Sequence, residues 1–233
     1  HGVVKCAMGW ACWKTYVGRP EGDKIRLAAM SEVGNGLSAS LRQEDALSAR
    51  KAELAMKRRY VRSPAVILNA QGSLARTYSL LGRKEEALSM QRDVYSGCLK
   101  LYGEEDISTL REASHYASIL GDIQRFEEAK VLLRKTLPVA GRIFGEDHIR
   151  MLEMRCLYAA ASFQVDNATL DDIREAMATL EDMQRNARRV LGGAHPLTGG
   201  IDGYLQGARA VLLSRQGADV SAICEAVEAM KAT

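Results

Sequence analysis

Hydrophobic positions in this chain recur every three to four residues far more often than they alternate. Over residues 68–81, Leu74, Tyr78 and Leu81 stand at i, i+4 and i+7, one stripe of an α-helix. Gly82-Arg83-Lys84 interrupts the pattern, and a second stripe follows in Ala87, Gln91, Val94, Cys98 and Leu101. Few stretches alternate with period two, and the chain has only 4 prolines, which leaves room for long helices. The pattern predicts helix pairs and essentially no sheet.

The pairs repeat. "LYGEED" at Leu101–Asp106 recurs 42 residues later as "IFGEDH" at Ile143–His148, and Ala87 and Ala129 are also 42 apart. In a further copy Gly192 and Ala176 each lie 47 beyond their counterparts, so five extra residues fall in or near Asp166–Leu170. A weaker first copy holds "RQEDAL" at Arg42–Leu47. Gly103, Gly145 and Gly192 end the second helices, where a left-handed cap is expected. The alanines mark where each second helix must approach the first closely. No single pair can bury its stripe, so neighbouring pairs must stack.

These residues resemble the tetratricopeptide repeat in the 42-residue form typical of kinesin light chains. The family's Leu-Ala and Tyr signature matches Leu74, Ala75 and Tyr78, its small residue matches Ala87, and its corner matches Gly145–His148. Two copies depart, with Tyr116, Ala117 and Leu120 in one and Val33, Gly34 and Leu37 in the other. The resemblance implies an all-α, right-handed α-α superhelix of about four helix pairs with capping helices. It divides the chain into an N-terminal capping helix and turn (1–22), the repeat solenoid (23–198) and a C-terminal capping helix pair (199–233). The two helices of that last pair are expected at 201–217 and 218–230, with an apolar stripe of Val220, Ile223, Val227 and Met230. Asp23 is expected to cap the first repeat helix.

The N-terminal segment places Cys6, Trp10, Trp13 and Val17 on one helical face, and it holds both tryptophans of the chain. It is expected to cap the first repeat, the sharper alternative being that it docks a partner or an upstream domain. The chain starts without Met and is expected to be part of a longer protein.

Composition narrows the function. With 47% hydrophobic residues and a net charge of +3, the chain can build a core, and its charge is too small to argue for nucleic acid. Five cysteines without a Cys-x-x-Cys pair read as free thiols of a cytoplasmic or other reducing intracellular compartment. No apolar run approaches a membrane span. The basic clusters Lys57–Arg62 and Arg185–Arg189 end second helices, where cations complement the helix dipole, so a nucleic-acid partner is disfavoured.

Catalytic chemistry is not assembled anywhere. His148 and His195 are one repeat offset apart and read as corner residues, while His115 has no acid or thiol signature beside it. His1, Cys6 and Cys12 match no structural-zinc spacing, so neither metal nor cofactor is expected. The chain is expected to be a non-enzymatic interaction scaffold. The rival class is a permanent subunit of a larger, multi-subunit assembly, with a nucleic-acid-binding helical repeat a weaker third.

The resemblance also locates a binding wall, because the family lines its concave groove with first helices. The expected peptide-binding residues are Asn35, Ser38, Asn69, Gly72, Arg76, Ser79, Arg111, Ser114, Ser118 and Asp122. The last copy offers Glu153, Cys156, Ala160 and Phe163 at the same offsets. Small polar residues leave space for an extended segment, the asparagines can bond its backbone, and Arg76 and Arg111 can pair with carboxylates. The expected ligand is thus a protein or extended peptide with acidic residues.

Overall fold

The structure, a computed structural model, describes residues 2–231, with side chains described for 2–217. Ten helices and no strand occur among the described residues: α1 (Gly2–Tyr16), α2 (Lys24–Ala39), α3 (Gln43–Tyr60), α4 (Pro64–Leu80), α5 (Lys84–Tyr102), α6 (Ile107–Asp122), α7 (Phe126–Phe144), α8 (Ile149–Gln164), α9 (Leu170–Leu191) and α10 (Pro196–Lys231). The chain forms two compact units, residues 1–119 and 120–233, whose border falls inside α6.

One packing rule recurs in both units. Each second helix turns inward a row spaced by four, three and four residues. The rows are Ala46-Arg50-Glu53-Lys57 on α3, Ala87-Gln91-Val94-Cys98 on α5, Ala129-Leu133-Thr136-Ala140 on α7 and Ala176-Leu180-Met183-Ala187 on α9. The spacing keeps all four side chains on one face of a 3.6-residue helix. The leading alanines are 0–4% exposed, so the helices cross with no room for a longer side chain. In the first unit Val33 and Leu37 of α2 close over Ala46, and Leu47 and Leu54 of α3 pack on Ala70 and Leu74 of α4. In the second unit α8, α9 and α10 share a larger core around Leu152, Phe163, Leu180 and Ile201.

The helix ends follow from local chemistry. Asp23 accepts from the backbone N–H groups of Ile25 at 2.8 Å and Arg26 at 3.2 Å, as a cap of α2 should. Thr169 and Asp172 form a capping box at the start of α9. The five inserted residues divide between a longer α8–α9 loop and extra N-terminal residues on α9. Gly103, Gly145 and Gly192 do take positive φ, but with ψ of 179°, 162° and 160°. This is not the left-handed helical cap expected above; it is the extended mirror region open essentially to glycine alone.

Two expectations at the ends need correction. The C-terminal pair is one continuous helix, α10, which begins at Pro196 and crosses residue 217 without a break. A lone glycine lowers helix stability by only about 1 kcal/mol, and no proline or turn sequence joins Gly217 there. The stripe from Val220 to Met230 lies beyond the described side chains.

At the other end, α1 does pack on the first repeat, through Cys6 and Trp13 against Val33 and Leu37. Trp10 and Val17, however, remain 42% and 41% exposed. The actual contact row is Gly2-Cys6-Gly9-Trp13, again spaced four, three and four. A Cβ on Gly9 would lie 2.5 Å from the Glu32 carbonyl oxygen, and one on Gly36 2.6 Å from that of Lys5. The α1 and α2 backbones therefore touch where only glycine fits.

Overpacking the crossings tests this rule. Ala87→Leu and Ala129→Leu are each expected to cost about 1–3 kcal/mol in chemical denaturation. An unchanged unfolding midpoint in both variants would mean that the row does not sit at the crossing.

Candidate peptide-binding face

In the first unit two buried carboxylates hold several of the expected wall residues in place. The first is Glu53 of α3, which accepts hydrogen bonds from Lys57 Nζ at 2.5 Å, Ser31 Oγ at 2.6 Å and Arg50 Nη1 at 2.8 Å. Burial alone would raise its pKa, but these bonds and the Arg50 charge outweigh that cost and hold it below the ordinary carboxylate value. Arg50 lies flat against Gly34 and is 6% exposed. Its Nη2 donates to Asn35 Oδ1, and its buried Nε has no partner.

Asn35, Ser38 and Arg76 come together around a cleft of about 730 Å³. Val4, Lys5 and Met8 of α1, Glu32, Gly36 and Ala39 of α2 and Arg50 of α3 complete its lining. The asparagine is already engaged: its carbonyl oxygen serves Arg50, and its Nδ2 donates to Glu32 Oε1 at 3.3 Å. Ser38 ties α2 to α3, donating to Gln43 Oε1 at 3.3 Å while its backbone oxygen accepts from Gln43 Nε2. Arg76 is exposed and donates to Ser73 Oγ on its own helix at 3.0 Å.

The second carboxylate is Glu112 of α6, 2% exposed. It accepts from Gln91 Nε2 at 2.8 Å and Arg111 Nε at 2.9 Å, and His115 Nδ1 lies 3.4 Å away. Burial pushes its pKa upward, yet the bonds from His115 and Gln91 and the neighbouring charges bring it down to about 2. This acid one turn before His115 escaped the sequence reading.

The cluster also reassigns several expected residues. Arg111 is occupied by Glu112 and donates to Asn69 Oδ1 at 3.3 Å. A Cβ on Gly72 would lie 3.3 Å from Glu112 Oε2, so this glycine makes room for the carboxylate. Ser114, 4% exposed, is enclosed by the protein, whereas Ser79 and Ser118 are half-buried. Asp122 is exposed at the end of α6 and belongs to the second unit. In that unit Cys156, Ala160 and Phe163 of α8 are buried in the core with α9 and α10, so this helix offers no such wall.

Other candidate groups have structural work. His148 Nδ1 accepts from Arg150 N at 3.1 Å, and His195 Nδ1 accepts from Leu197 N at 3.2 Å, so both start helices at the same repeat corner. Burial pushes the Cys98 and Cys156 thiols up to about 11 and about 12, which leaves them unreactive. Arg185, Arg188 and Arg189 pair with Asp182, Asp202 and Asp147. Their cluster is therefore neutralised within the second unit. His1 lies outside the described residues, and Cys6 is spent on packing. Among the described residues no helix is long and apolar enough to cross a membrane.

The helix pairs and their corner glycines can now be compared with known proteins. The family model of the tetratricopeptide repeat matches residues 67–108 and 113–150. Those two stretches carry tetratricopeptide repeats. The fold is also that of crystal structures of a kinesin light chain-like protein of Podosopora anserina with nearly identical TPR-like repeats. One is 21% identical, covers 92% of this chain and 97% of that one, and has a TM-score of 0.65. A single-substitution variant of it is 22% identical over 89% and 95%, with a TM-score of 0.66. BtubC (BKLC) from P. vanneervenii is 13% identical over 92% of each chain, with a TM-score of 0.62. No curated protein matches the sequence. Repeats of this type generally serve as protein-interaction scaffolds.

The buried carboxylate makes a pH prediction. Because the folded-state pKa of Glu112 lies below 4.5, at about 2, its stabilisation is full above pH 4.5 and fades as pH falls toward 2. Glu112→Gln is expected to flatten the loss of thermal stability between about pH 4.5 and 3 relative to the parent. Parallel curves would show that the carboxylate carries no such linkage.

Proposed function

We propose that this chain is a non-enzymatic scaffold that holds an extended, acidic segment of a partner protein against the cleft of its first unit. The carrying observation is the charge balance there. Lys5, Arg50 and Arg76 line the cleft with a single carboxylate, Glu32, while Arg50 and Lys57 share one buried acid, Glu53. Cationic side chains beside the apolar Val4 and Met8 suit a segment bearing carboxylates and a hydrophobic side chain. Asn69, Ser79, Arg111 and Ser118 of the first unit are proposed as further contacts on α4 and α6, with Arg111 held in place by Glu112. The free thiols among the described cysteines support a reducing intracellular setting.

Repeats of one fold serve many partners, so the chemistry of the cleft selects the ligand. The test is affinity capture from lysate with the parent chain and with a Lys5→Glu/Arg76→Glu variant. The parent is expected to recover a companion whose amount falls about tenfold with the variant and as salt rises, while the melting temperature stays within a degree or two. Equal recovery by both proteins would move the binding surface away from the cleft.

A further inference from the structure

We propose that the outer face of α1, centred on Val3 and Ala7 beside the cleft, docks an acidic amphipathic helix from a partner protein. The inward row of α1 follows the same four-three-four spacing as the second helices of the repeats, so its other positions can be compared in register. Val3 then stands where α3 has Leu47 and α5 has Leu88. Those leucines are 4% and 8% exposed, whereas Val3 is 77% exposed. Ala7 and Met8 stand where three repeat helices turn charged pairs to water, Arg92-Asp93 on α5, Arg134-Lys135 on α7 and Glu181-Asp182 on α9, and where α3 has Lys51-Ala52. Met8 is 67% exposed. Helix α1 thus turns fewer charges to solvent than its counterparts, and a helix with apolar residues on its outer side as well is one that is covered on more than one side.

The chemistry of the face selects its occupant. Val3 and Ala7 lie one turn apart, and the small Ala7 admits a closely approaching helix. The only charged residues between 2 and 16 are Lys5 and Lys14, so carboxylates flanking an apolar stripe complement it. A second copy of α1 would bring lysine against lysine and is disfavoured on the same ground.

Both tryptophans of the chain lie in α1, so its intrinsic fluorescence reports this face. The probe is a synthetic, tryptophan-free 18-residue helix of about that length with a Leu/Ala stripe flanked by Glu, titrated into the full chain. Saturable change in emission is expected, weakening about tenfold in Val3→Glu/Ala7→Glu and about tenfold again when Lys replaces the flanking Glu. Val3 and Ala7 do not line the cleft, whereas Arg76 does, so an Arg76→Glu variant is expected to bind the peptide as tightly as the parent, which separates this face from the cleft. Three results would each overturn the proposal. One is no binding at roughly 100 µM peptide. Another is equal affinity of the two peptides or of the two proteins. The last is a dimer in sedimentation that the Val3→Glu/Ala7→Glu variant dissolves, which would make a second copy the occupant.

Discussion

The closest constraint in this molecule is the crossing of each second helix over its neighbours at a residue no larger than alanine. Ala46, Ala87, Ala129 and Ala176 are essentially without exposure, and everything downstream of them on the same helix face is placed by that contact. Once the crossing is set, positions four, seven and eleven residues later turn inward too. The row therefore determines which side chains face the first helices and leaves the opposite side to water. In α1 the same requirement reaches its limit, with Gly9 and Gly36 allowing backbone to lie on backbone.

What the inward row carries differs between the two units, and that difference reaches the candidate site. In the second unit it is largely aliphatic: Leu133, Leu180 and Met183 are 0% exposed. In the first unit it carries Arg50, Glu53 and Gln91, which bond to Ser31, Asn35 and Glu112 across the helix crossings. Burying charge is costly unless each group is paired, and both carboxylates here accept at least two close hydrogen bonds. The arrangement fixes the orientation of first-helix side chains more tightly than apolar contact can, because a bonded carboxylate tolerates little displacement.

Much of the architecture was legible because it is written in repeated spacing. The 42-residue offset, the corner glycines and the small alanines identify helix pairs whatever the rest of the chain does. The binding wall was less legible. Family offsets name Asn35, Ser38 and Arg76, which line one cleft, yet they could not tell that Arg111 and Gly72 serve an internal carboxylate or that Ser114 is enclosed. The available signal was Gln91, a polar residue on an otherwise apolar stripe, and Arg50 and Glu53 in the equivalent register. A polar group in a buried row demands a partner. The fourth copy failed for a different reason: α8 is packed by both α9 and α10, so offsets that face open space in α2 face core in α8. At the C-terminus, Gly217 was read as a break although one glycine without a turn partner does not end a helix.

A site-specific photo-cross-link places the bound partner most directly. The photoreactive p-benzoylphenylalanine would replace Ser38 at the cleft or, as a control, the exposed Val131 on α7. After irradiation in lysate, adducted peptides are identified by mass spectrometry. The account predicts adducts from acidic, extended segments at position 38 and none enriched at position 131. Adducts confined to position 131, or equal at both, would contradict it.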